Sequence, residues 1–210
     1  MRIVRIIDIS PPVSERIAVW PGDVPYRYAK NLDAEAGDHL TLGSIHTTLH
    51  LGAHADAPSH YGASEPGFGE RDLEDYFGDC QVMHVGELDE ERVYPRDLPG
   101  PIVAPRLLIA TGTFPDPETW NPDFASLSPE LVEYAHAQGV ILLGIDTPSV
   151  DPMRDRSLHA HRAVLRHDLA ILEGLVLSHV PDGTYTLSAF PLRLQGVDAS
   201  PVRAVLVDGL

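Results

Sequence analysis

Three imidazoles and a carboxylate fall within the eleven residues His50-Leu-Gly-Ala-His54-Ala-Asp56-Ala-Pro-Ser-His60, separated only by small or apolar side chains. Imidazole nitrogen and carboxylate oxygen are the usual protein donors for zinc and similar divalent ions. His50, His54, Asp56 and His60 all carry even numbers, so in an extended chain they face one side. Four residues of straight strand span roughly 13 Å, too far for His50 and His54 to share one ion. A bend between them is therefore expected, and Gly52 permits it. A satisfied hydrogen-bonding cluster is the bland alternative. Four candidate ligands in so short a segment favour a metal.

Further donors must come from elsewhere. His159, His161 and His167 form a second cluster, and spacing alone does not choose among them. Glu173 is an acid inside the apolar run Ala-Ile-Leu-Glu-Gly-Leu-Val-Leu. A buried carboxylate is costly unless it is paired or metal-bound; the alternative is a helix-ending Glu turned to solvent before Gly174. These donors suffice for two ions, with a carboxylate bridging metals ~3.5–4 Å apart. Such a pair lowers the pKa of bound water toward ~7 and polarises a carbonyl, so attack of metal-bound hydroxide on an amide or ester is the expected chemistry. His60, beyond Pro58, can approach without ligating and carry the proton to the leaving group.

The elements that must position these groups alternate between strands and a few helices. Strands are expected at Arg2–Ile9, Tyr26–Leu32, Ser44–Leu51, Gln81–Val85, Arg106–Thr111, Val140–Ile145, Tyr185–Phe190 and Val202–Val207. In Ser44–Leu51, one face is Ile45, Thr47, Leu49 and Leu51, and the metal loop leaves its end. Trp20-Pro-Gly-Asp23 is a turn, since proline presets φ and glycine accepts positive φ. Residues 60–70 form a glycine-rich loop over the site, and Leu73–Phe77 a helical turn. Pro95–Pro105 is a connection and Thr113–Leu127 a long surface loop. Ser128-Pro129-Glu130 opens a helix that stops at Gly139. Arg162–Leu172 reads as helical. Asp146 ends a buried strand and is expected to support the site. His39, His46, His84, His136 and His179 are left as structural or surface residues. The pattern gives one mixed α/β domain over residues 1–210.

A 210-residue chain can bury a sizeable core. Its net charge of −16 disfavours nucleic acid and anionic lipid as partners. No apolar run approaches the ~18 residues of a membrane span, and the N-terminal segment is too short and charged for a signal peptide. The single Cys80 fits a reducing compartment, so a cytoplasmic location is expected.

His50-x-Gly-x-His54-x-Asp56-x-Pro58-x-His60 resembles the signature of the cyclase-like metal-dependent hydrolases. With Ser10-Pro11-Pro12, Trp20-Pro-Gly-Asp23, His60-Tyr61 and Ile171-Leu-Glu-Gly-Leu175, the chain resembles the bacterial kynurenine formamidase (arylformamidase) branch through nearly its whole length. Many relatives carry Thr where Ala53 stands here; the alanine resembles the formamidase variant. The resemblance implies a swivelling β/β/α fold, a homodimer and two zinc ions per subunit. His50, His54 and Asp56 would hold the first zinc, Asp56 and Glu173 would bridge, and His161 would complete the second site. His60 would be the proton donor and acceptor, and Trp20 would line the pocket against an aromatic ring, packing in a turn being the alternative for this Trp. The implied reaction is N-formyl-L-kynurenine plus water giving L-kynurenine and formate, in tryptophan breakdown. Competing readings are an isatin-hydrolase-like opening of a cyclic amide and a non-catalytic metal-binding protein. Serine-nucleophile chemistry ranks last, because no Gly-x-Ser-x-Gly elbow is present.

Overall fold

Unbroken burial along the strands at the middle of the sheet sets the architecture. The computed structural model describes residues 4–69 and 71–209. Four strands run parallel at its centre: β5 (Phe77–His84), β7 (Arg106–Ala110), β9 (Leu142–Ile145) and β10 (Ala170–Glu173). Antiparallel strands extend both sides. On one flank lie β11 (Gly183–Ser188), β13 (Val205–Asp208) and β1 (Arg5–Asp8); on the other lie β4 (His54–Asp56) and β12 (Ala199–Pro201). The nine strands follow the order β1-β13-β11-β5-β7-β9-β10-β4-β12.

Parallel strands need long crossovers, and helices supply two of them. α2 (Pro129–Ala137) links β7 to β9, and α3 (His159–Arg166) links β9 to β10. Ser128 caps α2 by accepting from Leu131 N at 3.0 Å, as its sequence requires. Leu131, Val132 and Ala135 of α2 and Ala160, Ala163 and Val164 of α3 pack on Leu107, Ile109, Leu143, Ile145 and Ile171 of the sheet. Leu108, Ala110, Leu142 and Leu172 point to the opposite face. There a second core also gathers Ile7, Ala55, Leu187 and Leu206, so strands from both flanks meet over one apolar cluster and the sheet is curled.

Smaller elements complete the chain. α1 (Pro58–Tyr61) is one helical turn after the metal loop. β6 (Arg92–Val93) pairs with β8 (Ser126–Leu127), the only regular part of the expected loop 113–127. β2 (Arg27–Leu32) and β3 (Leu42–His46) pair only with each other.

Two expectations need correction. The strand expected at Ser44–Leu51 ends at His46, and Ile45 is 63% exposed rather than core-facing. The β2–β3 arm stands clear of the main sheet, so its alternation has no core to serve. The helix expected at Arg162–Leu172 stops at Arg166, and Ala170–Glu173 is a fully buried central strand. A short apolar run reads alike in either state. Of the first expected strand, Arg2 and Ile3 lie outside the described residues, as does Glu70 of the loop expected over the site.

Candidate metal centre

The centre forms where β4 meets the carboxyl end of β10. The two strands are antiparallel with Glu173 opposite His54 and Ile171 opposite Asp56. Directly opposed residues project to one face. Ile171 belongs to the helix-side core, so His54, Asp56 and Glu173 share that side, while Ala53, Ala55 and Ala57 fill the other core. The even-number argument thus holds along β4. The carboxyl ends of parallel strands are the usual place for a site in such sheets.

His50 reaches the same point because the chain bends at Gly52, which has φ +54°. Gly174, with φ +65°, lies against it: a Cβ built there would be 2.2 Å from Gly52 O. Only glycine lets the loop come this close to the end of β10. His161 enters from the first turn of α3. His159, from the same cluster, is bonded to Asp155 through Nδ1 at 2.7 Å. His167 pairs with Glu133 on the surface. The choice left open by spacing therefore falls on His161.

The donors converge on one point. Asp56 Oδ1 lies 3.1 Å from His50 Nδ1 and 3.5 Å from His54 Nε2. Asp56 Oδ2 lies 3.4 Å from His161 Nε2. Glu173 Oε2 is 3.2 Å from His54 Nε2, and its Oε1 is 3.7 Å from His161 Nε2. Asp56 therefore spans three imidazoles and Glu173 two. These approaches lack hydrogen-bond alignment: His54 Nε2, His161 Nε2 and both Asp56 oxygens are buried without a hydrogen-bond partner. One orphaned buried group costs about 1–3 kcal/mol, so four at one point call for a cation. The residues fit a divalent metal.

Each ligand-type imidazole has an outer partner that fixes which nitrogen faces inward. His54 Nδ1–H donates to Gly52 O at 2.9 Å. His161 Nδ1 pairs with Asp151 Oδ2 at 2.8 Å, and His50 Nε2 with Asp198 Oδ2 at 3.0 Å. Such partners orient metal-binding histidines. Asp151 is itself held by Arg92 Nη1 at 2.8 Å and by the amides of Ala160 and His161. Sequence reading missed Asp151 and Asp198. An acid between Val150 and Pro152 was a faint signal for the first; for the second no local pattern exists.

Electrostatics agree with the geometry. Burial would raise the Asp56 carboxyl, but the close His161 and His50 rings hold it well below the usual carboxylate range. Burial opposes a proton on His50, yet Asp56 and Asp198 outweigh it and pull the imidazolium up to about 9. Burial opposes it likewise on His161, where Asp151 and Asp56 pull it up to about 10. Carboxylates that favour a proton at those nitrogens favour a divalent cation in its place. His60 sits beside this cluster, its side chain 35% exposed and its ring 4.2 Å from that of His50. Burial pushes its pKa below the ordinary value, which leaves it neutral near pH 7.

A cavity of about 410 Å³ opens onto His50, His54, His60, His161 and Glu173. Trp20, Phe114 and Trp120 line it with Ile17, Leu175 and Leu177. Trp20, expected here from the resemblance, meets Trp120 edge-on at 5.2 Å. Trp120 and Phe114, in the long loop after β7, were not anticipated. Asp146 lines the cavity and accepts from Thr111 N and Gly112 N at 2.9 and 2.8 Å, the supporting place expected of it. The remaining histidines do not join the site: His84 pairs with Asp182, His179 with Asp8 O, His136 stacks on His167, and His39 and His46 are exposed.

The fold is shared with solved proteins. A structure described as a potential metal-dependent hydrolase with cyclase activity is 23% identical, with TM-score 0.85 over 98% of each chain. A structure described as a predicted metal-dependent hydrolase from Bacillus stearothermophilus is also 23% identical, with TM-score 0.81 over 98% of this chain and 99% of that one. Isatin hydrolase A from Labrenzia aggregata, bound to benzyl benzoate, is 19% identical, with TM-score 0.80 over 99% and 94%. The profile of the putative cyclases matches residues 7–152. With that match running from β1 through the metal loop to Asp151, the chain belongs to the putative cyclase family.

Proposed function

We propose that the protein is an arylformamidase that hydrolyses N-formyl-L-kynurenine to L-kynurenine and formate in tryptophan breakdown. The observation that carries this reading is the set of four orphaned donor atoms at the floor of an aromatic-walled cavity. Two zinc ions are proposed as the cofactor, and the fully shared carboxylates Asp56 and Glu173 support a pair rather than a single ion. His50, His54 and Asp56 would hold one, His161 the other, with Asp56 and Glu173 common to both. When bound, the ions supply Lewis acidity at the formyl oxygen and lower the pKa of water.

The chain's own groups do the rest. Trp20, Trp120 and Phe114 receive the aryl ring and place the formamide above Glu173. Neutral His60 takes a proton from the attacking water and returns it to the arylamine nitrogen as the C–N bond breaks. The apolar wall limits bulk water around that transfer. The resemblance also supports a homodimer, and the lone buried Cys80 fits a cytoplasmic setting. Among the described residues no helix is long and apolar enough to cross a membrane.

A substrate panel tests the reading. Zinc-loaded protein should release formate from N-formyl-L-kynurenine. Ring opening of isatin without formate release would favour the second reading, which the fold shared with isatin hydrolases supports. Full metal loading with no hydrolysis of either compound would leave a metal-binding protein. His60→Ala should slow turnover about 10²–10⁴-fold while the zinc content stays unchanged; loss of zinc would make His60 a ligand instead.

A further inference from the structure

We propose that Asp198 is a positioning residue that serves two imidazoles at once: the inner ligand-type His50 and the proton carrier His60. Asp198 immediately precedes β12, which pairs with β4 so that Ala199 lies opposite Asp56. Its own carbonyl accepts from Ala57 N at 2.8 Å. The backbone thus fixes this residue to the strand that carries the metal loop. Its carboxylate, half exposed, lies 3.0 Å from His50 Nε2 and 3.7 Å from His60 Nδ1.

This arrangement decides which nitrogen of each ring does chemistry. His50 Nδ1 faces Asp56 at 3.1 Å. With Nε2–H donated to Asp198, Nδ1 keeps its lone pair for the centre. The same carboxylate needs only a small rotation to accept from His60 Nδ1–H. His60 Nε2 is then the atom free to exchange a proton with water or a leaving nitrogen. On the buried side, Asp151 serves His161 alone; on the open side one carboxylate serves both a ligand and the acid–base group. A change at Asp198 therefore reaches metal affinity and turnover by separate arms.

The test compares Asp198→Ala, Asp198→Asn, His60→Ala and the double variant His60→Ala/Asp198→Ala, each by zinc competition titration and by steady-state kinetics at saturating zinc. Asp198→Ala should weaken zinc binding about 10-fold and lower kcat about 10–100-fold with KM unmoved. Asp198→Asn, which keeps an acceptor oxygen, should recover most of both. In the His60→Ala background the kcat effect should vanish while the zinc effect stays. An equal kcat loss in both backgrounds, an unchanged zinc affinity, or an asparagine variant no better than alanine would overturn the assignment. The kinetic arm rests on the hydrolytic reading proposed above, and the zinc arm does not. If the wild-type protein turns over neither the formamide nor isatin, that reading falls, while the zinc titration still upholds or refutes the His50 half.

Discussion

Gly174→Ala tests how the two halves of the centre are held together. A Cβ at this position would stand 2.2 Å from Gly52 O, where ordinary contact begins at 3.4 Å. The loop between His50 and His54 would have to retreat by about 1.2 Å, the difference of those two distances. Metal–ligand distances tolerate only about 0.2 Å. The backbone at Gly174, with φ +65°, also sits in the left-handed region, which costs an L-residue roughly 1–2 kcal/mol. Displacing packed structure adds about 1–3 kcal/mol. A total of about 2–5 kcal/mol should lower the melting temperature by roughly 5–15 °C in a chain of this size. Zinc affinity should fall about 100-fold. Gly139→Ala is the control: its φ is +86°, but no atom lies within 4 Å of the added Cβ. It should show only the conformational cost and bind zinc normally. Calorimetry and zinc titration on both variants decide the matter. If Gly174→Ala melts within about 2 °C of Gly139→Ala and binds zinc equally well, the close approach of the two glycines does not assemble the centre.

Three further outcomes follow from the same geometry. Asp151→Asn should weaken zinc binding about 10–100-fold by loosening the His161 ring, read by competition titration. In zinc-free protein, His161 is raised from 6.5 to about 10, so the stability its imidazolium provides is fully present below pH 6.5 and is lost as pH rises through about 10. The melting temperature of the zinc-free protein should therefore fall across that range; the fall should shrink in His161→Gln, where the His50 share up to about 9 persists, and disappear on zinc loading, as melts at stepped pH would show. Trp20→Ala should raise KM for aryl substrates about 10-fold or more with kcat less affected, since one face of an aromatic wall contributes roughly 1–2 kcal/mol of contact.

The near half of the centre was legible because it is local. His50, His54, Asp56 and His60 sit in one segment, and alternation plus a permissive glycine places them. Glu173 was legible as an acid in an apolar run, although its strand was read as the end of a helix; burial rather than secondary structure was the signal. His161 could not be told from its neighbours, because the choice depends on which face of α3 meets the sheet. Asp151 and Asp198 escaped altogether. They lie 95 and 142 positions beyond Asp56, and only pairing across the sheet and the turn into α3 brings them near. Of the central parallel strands, β7 and β9 announced themselves by continuous apolar runs, while the run of β10 was read as helix. The β2–β3 arm misled, since an alternating strand looks the same whether or not something covers it.

The pairing of β4 with β10 carries a built-in proofreading step. A slip of one residue would turn Ala53, Ala55 and Ala57 toward the helices and thrust His54 and Asp56 into the greasy interior on the other side. Bare donors stranded there would be far dearer than any alanine misplaced in exchange. Packing and chemistry therefore demand the same alignment.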